Sequence, residues 1–206
     1  MTTLPEPSAP AAAAAPRPAS RATDLALVAT FAALIAACSL LPAIPVAGLP
    51  VPITLQTFGV ALAGAVLGAR RGFLAVLLYL VVGLAGAPVF SGGAGGLGTI
   101  ARPSFGYLIA FPLAALLIGW LTERLLRGRW SRGWRATLGI LGATTAGVLL
   151  VIHPLGMLVL GWRLGLSPAE TISLGAVFIP GDLIKNVLAA LVAGSVHRAF
   201  PDLIGR

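Results

Sequence analysis

Six apolar stretches, each long enough to cross a bilayer and nearly free of charge, constrain this 206-residue chain more than any other feature. A helix needs about 20 mainly apolar residues to span a hydrocarbon layer ~30 Å thick. The stretches are Leu25–Leu41, Ile53–Ala69, Gly72–Val89, Phe105–Leu121, Ala136–Leu160 and Thr171–Val196. Prolines at 42, 45, 50 and 52 end the first, and Arg70-Arg71 separates the second from the third. Pro180-Gly181 interrupts the sixth, which allows a short outer helix followed by a shorter span beginning near residue 180. Only 10% of the residues are charged and 58% are hydrophobic, whereas soluble domains carry about 25% charged residues. The expectation is an all-α membrane protein, a compact bundle of six transmembrane helices over residues 24–198. A Pro/Ala-rich tail, expected to be disordered, occupies residues 1–23, and a short cytoplasmic C-terminus occupies 199–206. The tail does not read as a signal peptide, because its arginines come late and no cleavage site follows a short apolar core.

The basic residues orient the bundle. Arg17 and Arg21, Arg70 and Arg71, the run Arg124, Arg127, Arg129, Arg132 and Arg135, and Arg198 and Arg206 all fall on one side. Of the 14 Lys and Arg, only Arg102 and Arg163 fall opposite, and Lys185 lies within a span. The positive-inside rule then makes both termini cytoplasmic, in a multi-pass protein of the cytoplasmic membrane. The net charge of +8 belongs to membrane loops in contact with a lipid bilayer, not to a nucleic-acid face. Trp120, Trp130, Trp134 and Trp162 fall near segment ends, as an interfacial aromatic belt requires. The single cysteine, Cys38, lies in an apolar run, which rules out an intrachain disulfide and reads as an inert buried thiol.

Three connections build the outer side: Pro42–Pro52, Ser91–Ser104 and Gly161–Glu170. The first two carry almost no charge. Irregular backbone at membrane depth survives only where protein or a water-filled cavity satisfies it, so a pocket opening outward is expected. Within Ser91-Gly-Gly-Ala-Gly-Gly-Leu-Gly98 the formal G-x-G-x-x-G lacks a βαβ setting, so it reads as a folded loop and not as a dinucleotide site. Arg102 either snorkels to head groups or meets a ligand carboxylate. Thr54 and Gln56 stand at the outer entry of the second segment; Thr54 can simply cap that helix, while Gln56 in a span wants a hydrogen-bond partner, either another helix or a ligand. His153, beside Pro154, reads as a structural residue satisfying a freed carbonyl, and no second ligand has metal spacing to it. Ala29, Ala33 and Ala37 form a small-residue stripe fit for close helix approach, within the bundle or to a separate membrane subunit. Asp182 and Lys185 are the two ionisable groups inside a span. Spaced by three, they share a helix face and either neutralise each other or grip a ligand. No P-loop and no catalytic constellation is present, which disfavours an enzyme or a self-powered pump and leaves a passive or externally powered binder-transporter.

Four stretches resemble the BioY family, the biotin-binding S components of energy-coupling factor transporters. They are Pro50-Val-Pro-Ile-Thr-Leu-Gln-Thr-Phe58, Val89-Phe-Ser-Gly-Gly-Ala-Gly-Gly96, Pro103-Ser-Phe-Gly-Tyr-Leu-Ile-Ala-Phe111 and Phe178-Ile-Pro-Gly-Asp-Leu-Ile-Lys185. The resemblance runs from about Asp24 to His197, without the N-terminal tail. It implies a six-helix bundle with an outward biotin pocket, biotin as substrate with no cofactor, and a membrane T component with two ATPase subunits as partners. It also implies that Asp182 and Lys185 contact the ligand, that Gly92 and Gly93 belong to the loop over the pocket, and that Tyr107 is its aromatic neighbour. At Ala101-Arg-Pro-Ser-Phe-Gly106 this chain has Arg102 and Ser104 where many members have Gly and Thr, so a ligand role for these two rests on this chain's own chemistry and not on the resemblance. The same resemblance implies that Ala29, Ala33 and Ala37 face the T component. An Asp suits the ureido N–H donors of biotin, and a Lys or Arg suits its carbonyl or its carboxylate. An S component for another vitamin, or a membrane scaffold without transport, would share much of this pattern.

Overall fold

Gly68 decides the architecture. In the computed structural model, which describes residues 21–46, 48, 50–128, 133–201 and 203–204, Gly68 has φ 82° and ψ −176°. That region of backbone space is essentially closed to residues with a Cβ. It folds α2 (Gln56–Leu84) back on itself, so Gln56 at one end hydrogen-bonds Tyr79 near the other at 2.7 Å. A straight helix would hold those residues roughly 35 Å apart. The two arms pack so tightly that a Cβ on Gly72 would lie 2.9 Å from the Gly64 Cα. Small residues permit such contact where no water is present to drive association. Glu123 accepts the Ala69 N–H at 2.8 Å and so caps the second arm, placing a carboxylate at a helix N-terminus. Arg70 and Arg71 are therefore helical and do not form the connecting loop expected from the sequence. The reversal precedes them because only Gly68 tolerates the turn.

The other long helices are α1 (Arg21–Leu40), α3 (Phe105–Arg127), α4 (Gly133–Gly147), α5 (His153–Leu164) and α7 (Ile179–Ala199), with a short α6 (Pro168–Ala176). Among the described residues, the chain is all-α, with two isolated bridges and no strand. Five helical stretches are long and apolar enough to cross a membrane, counting α2 as one and α4–α5 as one. The fifth and sixth apolar segments of the sequence each divide. Val148–Ile152 is a single π turn between α4 and α5, where the His153 N–H bonds Val148 O five residues back. The cause is Pro154, which has no N–H to offer the ladder. The sixth segment divides at Pro180 into α6 and α7, as its Pro-Gly pair allowed. α3 is the most enclosed helix, with Ala110, Ala114, Ala115 and Ile118 fully buried against the α2 hairpin and α4.

At one end of the bundle the Pro-rich and Gly-rich connections are folded. Ile44 and Ile53 exchange both backbone hydrogen bonds at 2.9 Å, closing the Pro-rich stretch. The Gly-rich stretch forms 3-10 turns at Ser91–Gly93 and Leu97–Ala101, and Gly96 N–H ties it to Gly83 O at 2.7 Å. Arg163 at the end of α5 donates to Ile100 O at 3.0 Å and holds the second turn in place. At the opposite end Arg71 pairs with Asp24 at 2.8 Å and donates to Leu203 O at 3.0 Å. Trp120, Trp134 and Trp162 are exposed at helix ends, each with an arginine over its ring, as an interfacial belt requires. Cys38 is buried. The tail up to residue 20, Arg129, Trp130, Arg132 and Arg206 lie outside the described residues.

Candidate functional site

Two helix N-termini converge on one buried carboxylate. Asp182 occupies the first turn of α7, where the helix dipole favours an anion. Its Oδ1 accepts from Lys185 Nζ at 2.9 Å and from Thr57 Oγ1 at 2.8 Å. Lys185 Nζ also donates to Thr57 Oγ1 at 3.1 Å. Thr57 belongs to the first turn of α2, so its hydroxyl sits between the anion and the cation. Asp182 Oδ2 is 3.0 Å from His153 Nε2. Asp182, Lys185 and His153 are all buried. A buried pair is tolerated only when its remaining bonding capacity is largely satisfied, and here two partners, Thr57 from α2 and His153 from α5, flank the Asp182–Lys185 pair.

This cluster is the floor of a cavity with an empty volume of ≈ 680 Å³, measured out to its open mouth. Its walls are apolar and aromatic: Val51 and Ile53 from the Pro-rich stretch, Phe90 from the Gly-rich stretch, Tyr107, Leu108 and Phe111 from α3, and Phe178. Tyr107 packs edge-on to His153 at 6.5 Å and tilted to Phe178 at 6.1 Å. Arg102 and Ser104 stand at the mouth and also line an adjoining groove with Pro50, Ser91 and Gly92. The Arg102 side chain is exposed and has no hydrogen-bond or ion-pair partner among the described residues. The cavity thus has an acceptor and a cation at its floor, a free guanidinium at its mouth and hydrocarbon between.

The structure brings together Asp182, Lys185, Tyr107, Thr54, Gln56, Arg102 and Ser104 around this cavity. Gln56 is engaged by the protein: it accepts from Thr54 Oγ1 at 2.9 Å and donates to Tyr79 OH, which donates to Ser39 Oγ at 3.2 Å. Gly92 and Gly93, both at φ 72°, do not line the cavity; Gly92 borders the adjoining groove. Two partners of Asp182, Thr57 and His153, are not marked as such by the sequence. Thr57 lies inside a quoted motif but carries no charge to flag it. From the sequence His153 reads as satisfying a freed carbonyl, whereas its partner is the Asp182 carboxylate. Only its position beside Pro154 hinted at an unusual helical turn. Ala29, Ala33 and Ala37 are exposed along α1, whose opposite face buries Ala32, Ile35, Cys38 and Ser39.

The BioY family model matches residues 11–202. The chain belongs to the BioY family. It is 43% identical to the biotin transporter BioY of Rhizobium etli, over 89% of this chain and 97% of that one. It is also 43% identical to the biotin transporter BioY of Rhodobacter capsulatus, over 88% of this chain and 96% of that one. Among solved structures it resembles the S-component for biotin from an ECF-type ABC transporter, with a TM-score of 0.79 and 29% identity, covering 86% of this chain and 92% of that one. Family membership places it among transport proteins and not among enzymes. Each stretch quoted above for the resemblance contributes a side chain to the cavity: Thr57, Phe90, Tyr107 and Asp182.

Proposed function

We propose that the protein is the biotin-binding subunit of an ECF-type uptake system in the cytoplasmic membrane. The observation that carries this reading is the pairing of a buried Asp182–Lys185–Thr57 cluster with an unpartnered Arg102 across an apolar cavity. Biotin is an apolar bicycle with a ureido group at one end and a carboxylate at the other. Lys185 has three N–H donors, two of them already placed, and the third suits the ureido oxygen. An Asp182 lone pair accepts a ureido N–H, and Arg102 faces the carboxylate at the mouth. Tyr107, Phe111, Phe90 and Phe178 cover the bicycle. Thr54, Gln56 and Ser104 shape the rim, and Gly92 and Gly93 let the loop bend over it.

The folded-back α2 supports six crossings in place of five. Its arms, roughly 18 and 24 Å long at 1.5 Å per residue, run antiparallel as two short spans. With six crossings both termini lie on one side, and the arginines at 21, 70, 71, 124, 127, 135 and 198 make that side cytoplasmic. Binding alone does not move a ligand uphill. The work comes from partners, a membrane T component and two ATPase subunits, with Ala29, Ala33 and Ala37 on the exposed face of α1 as the docking stripe. The test is mass spectrometry of small molecules released from protein purified out of cells grown with biotin. Biotin at near one per chain is expected. Release of a different vitamin, or of nothing, refutes the assignment.

A further inference from the structure

Two hydroxyl groups that line the cavity are buried and hydrogen-bond to nothing among the described residues: Tyr107 OH and Thr99 Oγ1. Tyr107 belongs to the motifs already discussed. Thr99 belongs to none of them. It sits in the middle of the Leu97–Ala101 turn with 3% of its surface exposed. Its own N–H donates to Gly96 O and its carbonyl accepts from Arg102 N–H, both at 3.1 Å. The backbone is therefore satisfied on both sides, and the hydroxyl alone is left over. The turn that carries it is held at both ends by the Gly96–Gly83 and Arg163–Ile100 bonds.

A hydroxyl removed from water without a partner destabilises the protein that carries it. In the ligand-free state a valine would fill the same space without that penalty. The other orphaned side-chain atoms, such as Thr122 Oγ1 and Asn186 Nδ2, do not line the cavity. Thr99 differs in being a residue of the cavity wall, one 3-10 turn before Arg102, so its buried hydroxyl lies in the layer that a ligand would touch. A single hydroxyl donor beside a planar cation matches a carboxylate, which accepts several hydrogen bonds and gains most from charged donors.

We propose that Thr99 is a specificity-determining ligand contact, its Oγ1 donating to the carboxylate of the bound acid beside Arg102. The proposal rests on the biotin reading of the same cavity. It gives the site two donors for an anionic tail and so selects the acid over neutral analogues. The test uses the full chain in detergent, with calorimetric titration of biotin and of biotinol, in which the carboxylate is replaced by an alcohol. Thr99→Val is expected to bind biotin about tenfold or more weakly, the size of one lost hydrogen bond to a charged group. It is expected to bind biotinol within about threefold of wild type, the size of a neutral hydrogen bond. Its ligand-free unfolding temperature should equal or exceed that of wild type, because an unpaired hydroxyl has gone, and Thr99→Ser should restore biotin binding. Wild-type affinity for biotin in Thr99→Val overturns the proposal. So does a lowered ligand-free unfolding temperature with equal losses for biotin and biotinol, since that marks a structural hydroxyl. If the wild type itself fails to bind biotin, the functional reading falls and this proposal falls with it.

Discussion

Replacing Asp182 with Asn tests the floor of the cavity with the smallest change of shape. The carboxylate holds Lys185 at 2.9 Å, Thr57 at 2.8 Å and His153 at 3.0 Å. Asn keeps one acceptor oxygen for Lys185 and Thr57 but turns an NH₂ donor toward His153. To accept from it, His153 must carry its proton on Nδ1, which is buried without a partner. Two effects follow, and they separate. Loss of the charged acceptor for the ureido N–H weakens biotin binding by roughly 1–3 kcal/mol, about 5- to 150-fold. Loss of the counter-charge leaves the buried Lys185 ammonium uncompensated, which costs about 3–5 kcal/mol of stability when one partner of a buried pair is removed. Calorimetric titration reads the first effect and thermal unfolding in detergent reads the second. The double variant Asp182→Asn with Lys185→Met removes both charges. It should regain most of the stability, because an apolar replacement of a buried pair is often neutral, and it should not regain binding. Unchanged biotin affinity in Asp182→Asn, or full binding in the double variant, would refute the assignment of this pair to the ligand.

Three further outcomes are expected. Arg102→Ala should weaken biotin by about 1–3 kcal/mol while leaving an uncharged biotin amide nearly unaffected; equal losses in parallel titrations would show that the guanidinium does not read the carboxylate. Gly68→Ala should lower stability by at least about 1–3 kcal/mol from backbone strain alone, with a further loss because its Cβ meets Glu123 Oε1; an unfolding temperature equal to wild type would mean that the hairpin does not depend on this turn. Ala33→Leu should leave biotin affinity intact, since the side chain points out of the bundle, but should abolish co-purification with the T component and biotin uptake; unimpaired uptake would remove the stripe from the partner interface.

Much of the fold was legible because hydropathy and punctuation are local. The outer connections announced themselves as folded elements through their lack of charge. The split of the last segment was legible at Pro180-Gly181, since proline cannot continue a ladder upstream of it. The reversal in α2 was read two residues late, because Arg70-Arg71 is the conspicuous charge signal while Gly68 is one glycine among 26. Asp182 and Lys185 stood out as charges in an apolar span. Thr57 and Thr99 did not, since a threonine in an apolar run is unremarkable until its hydroxyl is seen against a carboxylate or buried without a partner in a cavity wall.

By itself the sequence determined the solvent this protein lives in, the approximate positions of its apolar helices and the two charges that one α7 face must hold. Those follow from free energies of transfer and from the three-residue spacing along a helix, which need no knowledge of neighbours. Only the tertiary structure decided what surrounds the charges. His153 reaches Asp182 across 29 residues and Thr57 across 125, through a π turn and a glycine reversal that aim separate helices at one point. The physical reason is that a buried ion pair is set by its three-dimensional company. Desolvation is offset by partners that arrive from elsewhere in the chain, and their arrival depends on how the helices cross.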